Sequence, residues 1–205
     1  MKIIGLVGGV ASGKSLAAKM LVELGAVHLD ADRAGHAVLA EDADVRQALI
    51  DCWGDAILDA DGRVNRNAVA QRVFDKSEAG NVNRKFLEDL LHPRIRQRLN
   101  IERDQAVATG KPAIVLDAPL LLEADWGSLC DIIVMIDSPR ELRLGRAAMR
   151  GWTAADFDER EAAQWPPDEK RRHADVVIPN FGTADDLRHA IHGFWHREIS
   201  PNTKH

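Results

Sequence analysis

Residues 8–15 read Gly8-Gly9-Val10-Ala11-Ser12-Gly13-Lys14-Ser15, a G-x-x-x-x-G-K-S pattern. An apolar run, Ile3-Ile4-Gly5-Leu6-Val7, precedes it, and a stretch of helical character from Leu16 to Leu24 follows. Strand, glycine-rich loop and helix in that order form the context in which this pattern cradles phosphate. Gly8, Gly9 and Gly13 let the backbone curl so that several N–H groups face one anionic centre. The helix start adds a partial positive charge at the same point. Lys14 is spaced to reach the β- and γ-phosphates of a nucleotide, and the Ser15 hydroxyl to hold Mg²⁺. A bare strand-to-helix turn would have no use for the Gly-Lys-Ser ending.

Working outward, four more short apolar runs follow: Val27–Leu29, Ala113–Leu116, Ile132–Ile136 and Val176–Ile178. Ile3–Val7, Ala113–Leu116 and Ile132–Ile136 are continuous rather than alternating, as expected of strands covered on both faces. With helical periodicity between them, the five runs predict an α/β fold: a P-loop NTPase-type, doubly wound, five-stranded parallel sheet. Two connections are too long for simple crossovers. The expected organisation is one domain over 1–205, with a core of about 1–32, 111–138 and 174–199. A helical acceptor-binding insertion would occupy about 33–110, punctuated by Gly54, Gly62 and Gly80, and a helical lid about 139–173. Both should emerge above the C-terminal ends of the strands, where doubly wound folds bind ligands. That is the plan of a small phosphotransferase whose lid closes over the reaction.

Composition narrows the class. A chain of 205 residues with 45% hydrophobic and 29% charged residues can bury one substantial core. A net charge of −5 argues against a dedicated nucleic-acid binder. The apolar runs are strand-sized, so no membrane span is expected, and Met1-Lys2 leads directly into the first strand with no signal peptide. Cys52 and Cys130 lie far apart and lack metal-type spacing, which predicts reduced, buried thiols and a cytoplasmic protein.

Several polar residues stand where chemistry would need them. Asp30 and Asp32 follow the second apolar run, and on an extended backbone they point the same way. Either can orient an acceptor hydroxyl and take its proton, or help position Mg²⁺ through water. Asp32 equally suits an N-cap for a helix over Arg33–Leu39. Asp117 ends the third run, the place for a magnesium-linked carboxylate or for a turn-forming Asp, and Pro119 extends the chain after it. Ser138-Pro139-Arg140-Glu141 has the form of a capping box. The helix it would start carries Arg143, Arg146 and Arg150 within a sector of roughly 60°. Ala147, Arg150 and Ala154 occupy the i+4 positions, so this stripe has no local counterions. It is therefore assigned to the nucleotide rather than to a solvated face. His189, His192 and His196 read as a polar helix face, Trp152 and Trp165 as packing residues beside the lid, and His92-Pro93 as the join between two helices.

Taken in order, these pieces resemble the dephospho-CoA kinase family. The resemblance rests on Gly5-Leu6 with the phosphate loop, Asp30-Ala31-Asp32, Asp61-Gly62 with Arg66, and His92-Pro93 with Ile95-Arg96. It continues through Asp117, Pro119, Leu120, Leu121 and Glu123, then Arg146, Gln164, Ala174-Asp175, Ile178 and Asn180. It runs from Lys2 to about Ile199. It implies transfer of the γ-phosphate of ATP, with Mg²⁺, to the ribose 3′-hydroxyl of dephospho-CoA, the last step of coenzyme A synthesis. By the same resemblance Ala11, Ser12, Gly13, Lys14, Ser15 and Leu16 bind ATP, and Asn180 lies by the adenine. Asp32 is the catalytic carboxylate, and Lys14 and Arg146 act with it. Asp32, Arg66, His92 and Asp117 are expected to meet the acceptor. Three positions depart from the family pattern. Ala11 stands for a usual Gly, which matters if positive φ is required. Leu16 replaces a common Thr, and Asn65 replaces an Asp often found before the arginine of the first insertion. The competing readings are another small-metabolite or nucleoside monophosphate kinase and a non-catalytic nucleotide switch. A guanine-reading Asn-Lys-x-Asp is absent from the chain.

Overall fold

A computed structural model describes residues 1–75, 77–118 and 120–200. Pro119 lies outside the described residues. The chain forms two compact units, Met1–Asp30 with Arg103–His205, and Ala31–Glu102.

The first unit is built on five parallel strands: β1 (Lys2–Val7), β2 (Val27–Asp30), β3 (Ala113–Asp117), β4 (Ile132–Asp137) and β5 (Val176–Pro179). Their order is β2-β3-β1-β4-β5. The central strand β1 pairs with β3 on one side, Leu6 against Asp117, and with β4 on the other, Val7 against Met135. The chain leaves β1 at the point where strand order reverses, so the phosphate loop opens at the middle of the sheet. Helices α1 (Lys14–Glu23) and α9 (Ala184–Glu198) cover one face. Ala17, Ala18 and Leu21 of α1 share one buried cluster with Leu187, Ile191, Phe194 and Trp195 of α9 and with Ile4, Leu6, Val115 and Val134 of the strands. Small side chains on α1 let it approach the sheet closely, which sets the loop at its N-terminus rigidly. Three shorter helices, α6 (Arg140–Ala148), α7 (Ala154–Ala162) and α8 (Pro167–Arg172), lie between β4 and β5.

The second unit contains α2 (Ala31–Glu41), α3 (Ala43–Trp53), α4 (Arg66–Val73) and most of α5 (Glu78–Ala108). Its core includes Val38, Val45, Leu49, Ile57, Val69 and Ile95.

Five details differ from expectation. His92-Pro93 does not join two helices, because α5 runs straight through Pro93. Proline removes the N–H that would bond the Asp89 carbonyl, and just past it the Arg94 Nη1 donates to the neighbouring Leu90 carbonyl at 2.8 Å. Gly80 lies inside α5 rather than between helices; a Cβ there would stand 1.9 Å from the Asp75 carbonyl oxygen. The Ser138 capping box is not formed: α6 has no side-chain cap, and the hydroxyl is used in tertiary contacts described below. Capping boxes occur instead at Thr153 with Asp156 and at Thr183 with Asp186. Helix α2 begins at Ala31, directly after β2, so Asp30 and Asp32 do not share an extended backbone and Asp32 is not an N-cap. It lies in the first helical turn, where its charge meets the positive end of the helix. Cys52 and Cys130 are both free, but Cys52 is exposed and Cys130 only half-buried, where both were expected to be buried.

Candidate active site

The loop between β1 and α1 carries its own strain. Gly13 holds φ 105° at the start of α1, and a Cβ there would meet Asn180 Nδ2 at 2.4 Å. Glycine is required twice over, by conformation and by the approach of Asn180. Ala11 adopts φ 57°, the left-handed region, so its methyl group carries a strain that glycine would not. The methyl packs at the edge of the small cluster of Val10, Ala147 and Phe157, an apolar contact that offsets part of that strain. Lys14 curls back over the loop and its ammonium donates to the carbonyls of Gly8 (3.0 Å) and Gly9 (3.4 Å). Ser15 and Leu16, at the start of α1, are exposed. The Ser12 hydroxyl is buried and has no hydrogen-bond partner among the described residues.

Two arginines of α6 fasten this loop, in different ways. Arg143 is buried, 4% exposed, beneath Gly9. Its Nε donates to the Ser138 carbonyl (3.0 Å) and its Nη1 to the Val10 carbonyl (3.2 Å), and it pairs with Glu161 of α7. Its guanidinium lies 5.4 Å from the centre of the buried Phe157 ring. Arg146 donates from Nη1 to the Ser12 carbonyl (3.2 Å) and the Ser138 hydroxyl (2.9 Å), and from Nη2 to the Asn180 carbonyl (3.0 Å). Ser138 Oγ donates to that same carbonyl at 3.0 Å, and Asn180 Nδ2 donates to the Ser12 carbonyl at 2.7 Å. Arg146, Ser138, Ser12 and Asn180 thus close a ring linking α6 and the ends of β4 and β5 to the phosphate loop. Arg150 leaves the stripe, because α6 ends at Ala148.

Beside Lys14 stands a buried charge cluster that sequence reasoning did not assemble. Lys170 of α8 is 2% exposed. Its ammonium donates to Gln164 Oε1 (2.9 Å) and pairs with Glu123 Oε1 (3.1 Å). The same carboxylate oxygen accepts from the Trp165 backbone N–H at 2.7 Å. Glu123 Oε2 is buried without a hydrogen-bond partner among the described residues. Burial first, and then the charge of Lys170, hold the Lys14 pKa down at about 8, with Asp117 and Glu123 opposing the shift. Glu123 was legible as an acid closing an apolar run. Lys170 was not, because it sits in the charged string Asp168-Glu169-Lys170-Arg171-Arg172, which reads as a solvated face.

Asp30 and Asp117 lie opposite one another at the ends of β2 and β3, and Asp117 Oδ2 stands 3.7 Å from His28 Nε2. The structure therefore brings together Gly8 to Leu16, Arg143, Arg146 and Asn180 at the strand ends that also carry Asp117. Asp32, Arg66 and His92 belong to the other compact unit. There Asp32 is exposed in the first turn of α2, and His92 is half-buried within α5. Arg66 Nη2 donates to His36 Nε2 at 2.6 Å, beside an open cavity of about 590 Å³ lined by Asp59, Asn65 and Asn67. Asn65 caps α4, its side chain accepting from the N–H groups of Asn67 (3.0 Å) and Ala68 (3.3 Å). Asn does this as well as the family's Asp, so the helix start is preserved.

A sequence model of the dephospho-CoA kinase family matches residues 2–186. A dephospho-CoA kinase of Geobacillus kaustophilus is 36% identical over 189 residues, spanning 92% of each chain. A crystal structure from Thermus thermophilus superposes with a TM-score of 0.81 at 30% identity, covering 96% of this chain and 97% of that one. A dephospho-CoA kinase from Campylobacter jejuni shares the fold, with a TM-score of 0.65 at 24% identity over 98% of each chain.

Proposed function

The chain belongs to the dephospho-CoA kinase family, and from that premise we propose that it transfers the γ-phosphoryl group of ATP to the ribose 3′-hydroxyl of dephospho-CoA, giving coenzyme A. One observation carries this: the family match extends over a phosphate loop whose Lys14, Ser15 and backbone are intact and fastened by Arg146 and Asn180. The acceptor region is the insertion of about 33–110 and the lid is the segment of about 139–173 that holds α6 to α8. No helix among the described residues is long and apolar enough to cross a membrane.

Phosphoryl transfer asks the protein for positioning and charge rather than covalent chemistry. The loop N–H groups and the start of α1 hold the α- and β-phosphates. The Lys14 ammonium, resting on the Gly8 and Gly9 carbonyls, turns to the β–γ bridge and neutralises the charge that grows there. Arg146 already reaches the loop and adds its charge to the transferring group. Asp32 takes the acceptor proton, Arg66 and His92 meet the acceptor's anionic parts, and Asn180 borders the adenine. The oxygen donors available, the exposed Ser15 hydroxyl and the carboxylates of Asp30 and Asp117 at adjoining strand ends, are hard ligands that fit Mg²⁺. Ser15, Asp30 and Asp117 would hold the ion, which would supply positive charge against the transferring phosphoryl group.

Incubation with labelled ATP and, in turn, dephospho-CoA, nucleoside monophosphates, shikimate or no acceptor tests the assignment. Label should appear on the 3′-position of dephospho-CoA alone. Equal transfer to a monophosphate, or hydrolysis unaffected by any acceptor, would overturn it.

A further inference from the structure

The Lys170–Glu123 pair is absent from the proposed chemistry, yet its placement is expensive. An ammonium and a carboxylate have been withdrawn from water, with side-chain exposures of 2% and 14%. Buried ion pairs are weak evidence for stability, since apolar side chains of similar volume often serve as well. This pair also leaves a defect: one carboxylate oxygen, Glu123 Oε2, is buried with no partner among the described residues. A purely structural strut would be expected to satisfy both oxygens.

Where the pair sits gives the reason. Lys170 belongs to α8, the last helix before β5, and Glu123 to the turn that follows β3 and Asp117. The Glu123 carboxylate also holds the backbone N–H of Trp165, between α7 and α8. One carboxylate thus gathers two points of the α6–α8 segment onto the strand end beside the phosphate loop. Lys170, Glu123 and Asp117 are also close enough to Lys14 to act on its charge, with Lys170 opposing and both acids favouring the ammonium.

We propose that Lys170 and Glu123 are positioning residues for phosphoryl transfer: their buried pair locks α8 to the turn after β3 and so fixes the charge balance in which Lys14 works. Lys170 acts through Glu123 and Gln164, the groups its ammonium is bonded to. The inference rests on the kinase function proposed above.

The test compares Lys170→Met with the double variant Lys170→Met/Glu123→Gln. The double variant removes both charges and keeps an acceptor for the Trp165 N–H. Turnover is read as transfer to dephospho-CoA and also as ATP hydrolysis without acceptor. A wild-type protein that hydrolyses ATP but ignores dephospho-CoA then counts against the proposed function and leaves the variant ratios readable. Lys170→Met should lower the melting temperature and reduce kcat at least tenfold, with KM for ATP within threefold of wild type. The double variant should regain most of the melting temperature while kcat stays at least tenfold down. Recovery of kcat together with stability in the double variant would show the pair to be only structural and overturn the inference. So would unchanged kcat in Lys170→Met, or a loss confined to KM.

Discussion

Replacing Arg143 by Met separates two readings of the α6 arginines. The helical stripe assigns Arg143 to the nucleotide, whereas its contacts make it a strut under the loop. Met keeps much of the stem volume and removes the guanidinium. That change leaves the Ser138 and Val10 carbonyls without their donor and the Glu161 carboxylate without its counter-ion. It also ends the cation–π contact with the buried Phe157 ring. Removing one partner of a buried ion pair costs roughly 3–5 kcal/mol. Glu161 is 20% exposed and recovers some hydration, which favours the lower end, about 3 kcal/mol. At about 2–4 °C per kcal/mol for a chain of this size, the melting temperature should fall by about 6–12 °C. Urea denaturation and thermal melting of the nucleotide-free protein measure this, and calorimetric titration measures ATP affinity below the transition. A double-mutant cycle with Glu161→Gln should return a coupling of about 1–3 kcal/mol. ATP affinity per folded molecule should stay within threefold of wild type. A stability change under about 1 kcal/mol accompanied by a tenfold loss of ATP affinity would refute the strut and restore the nucleotide assignment.

Lys14→Ala should nearly abolish turnover while the protein still folds; substantial transfer by this variant in the dephospho-CoA assay would undo the phosphate-loop chemistry. Arg146→Ala should lower kcat far more than ATP affinity, because its charge matters most with the transition state in place, and equal losses in the two would mark simple binding. Asp32→Asn keeps size and its first-turn charge is worth about 0.3–1 kcal/mol at the helix end, so folding should persist while kcat drops by a factor on the order of 10². Near-normal kcat there would move the base to Asp30 or Asp117. Burial, aided by the charge of Asp131, raises the Cys130 thiol to about 12, so it stays protonated and unreactive through neutral and mildly alkaline pH. Iodoacetamide at pH 8 should therefore label the exposed Cys52 alone in the folded protein and both thiols in urea, and rapid labelling of Cys130 in the native state would contradict this, as mass spectrometry can show.

The parts that depend on near neighbours in the chain were readable in advance. Five apolar runs became five parallel strands, and the three continuous ones, Ile3–Val7, Ala113–Leu116 and Ile132–Ile136, are the ones most deeply buried in the sheet. The phosphate loop was legible because its turn, its glycines and its lysine all lie within eight residues. What failed locally failed for tertiary reasons. Ser138 had the form of a cap, but its hydroxyl bonds Asn180 and Arg146 instead. Pro93 had the form of a break, but the rest of α5 carries the helix past it. The arginine stripe lacked local counterions, yet Glu161 reaches Arg143 from another helix, and the end of α6 removes Arg150 from the row. Lys170 shows the limit most plainly, since charge in a polar string says nothing of burial. Only the folded chain, bringing Glu123 to within 3.1 Å across 47 residues of sequence, turns a surface-like lysine into a buried one. Sequence encodes propensity and periodicity along the chain; which distant charges meet, and whether water is present when they do, is decided by packing.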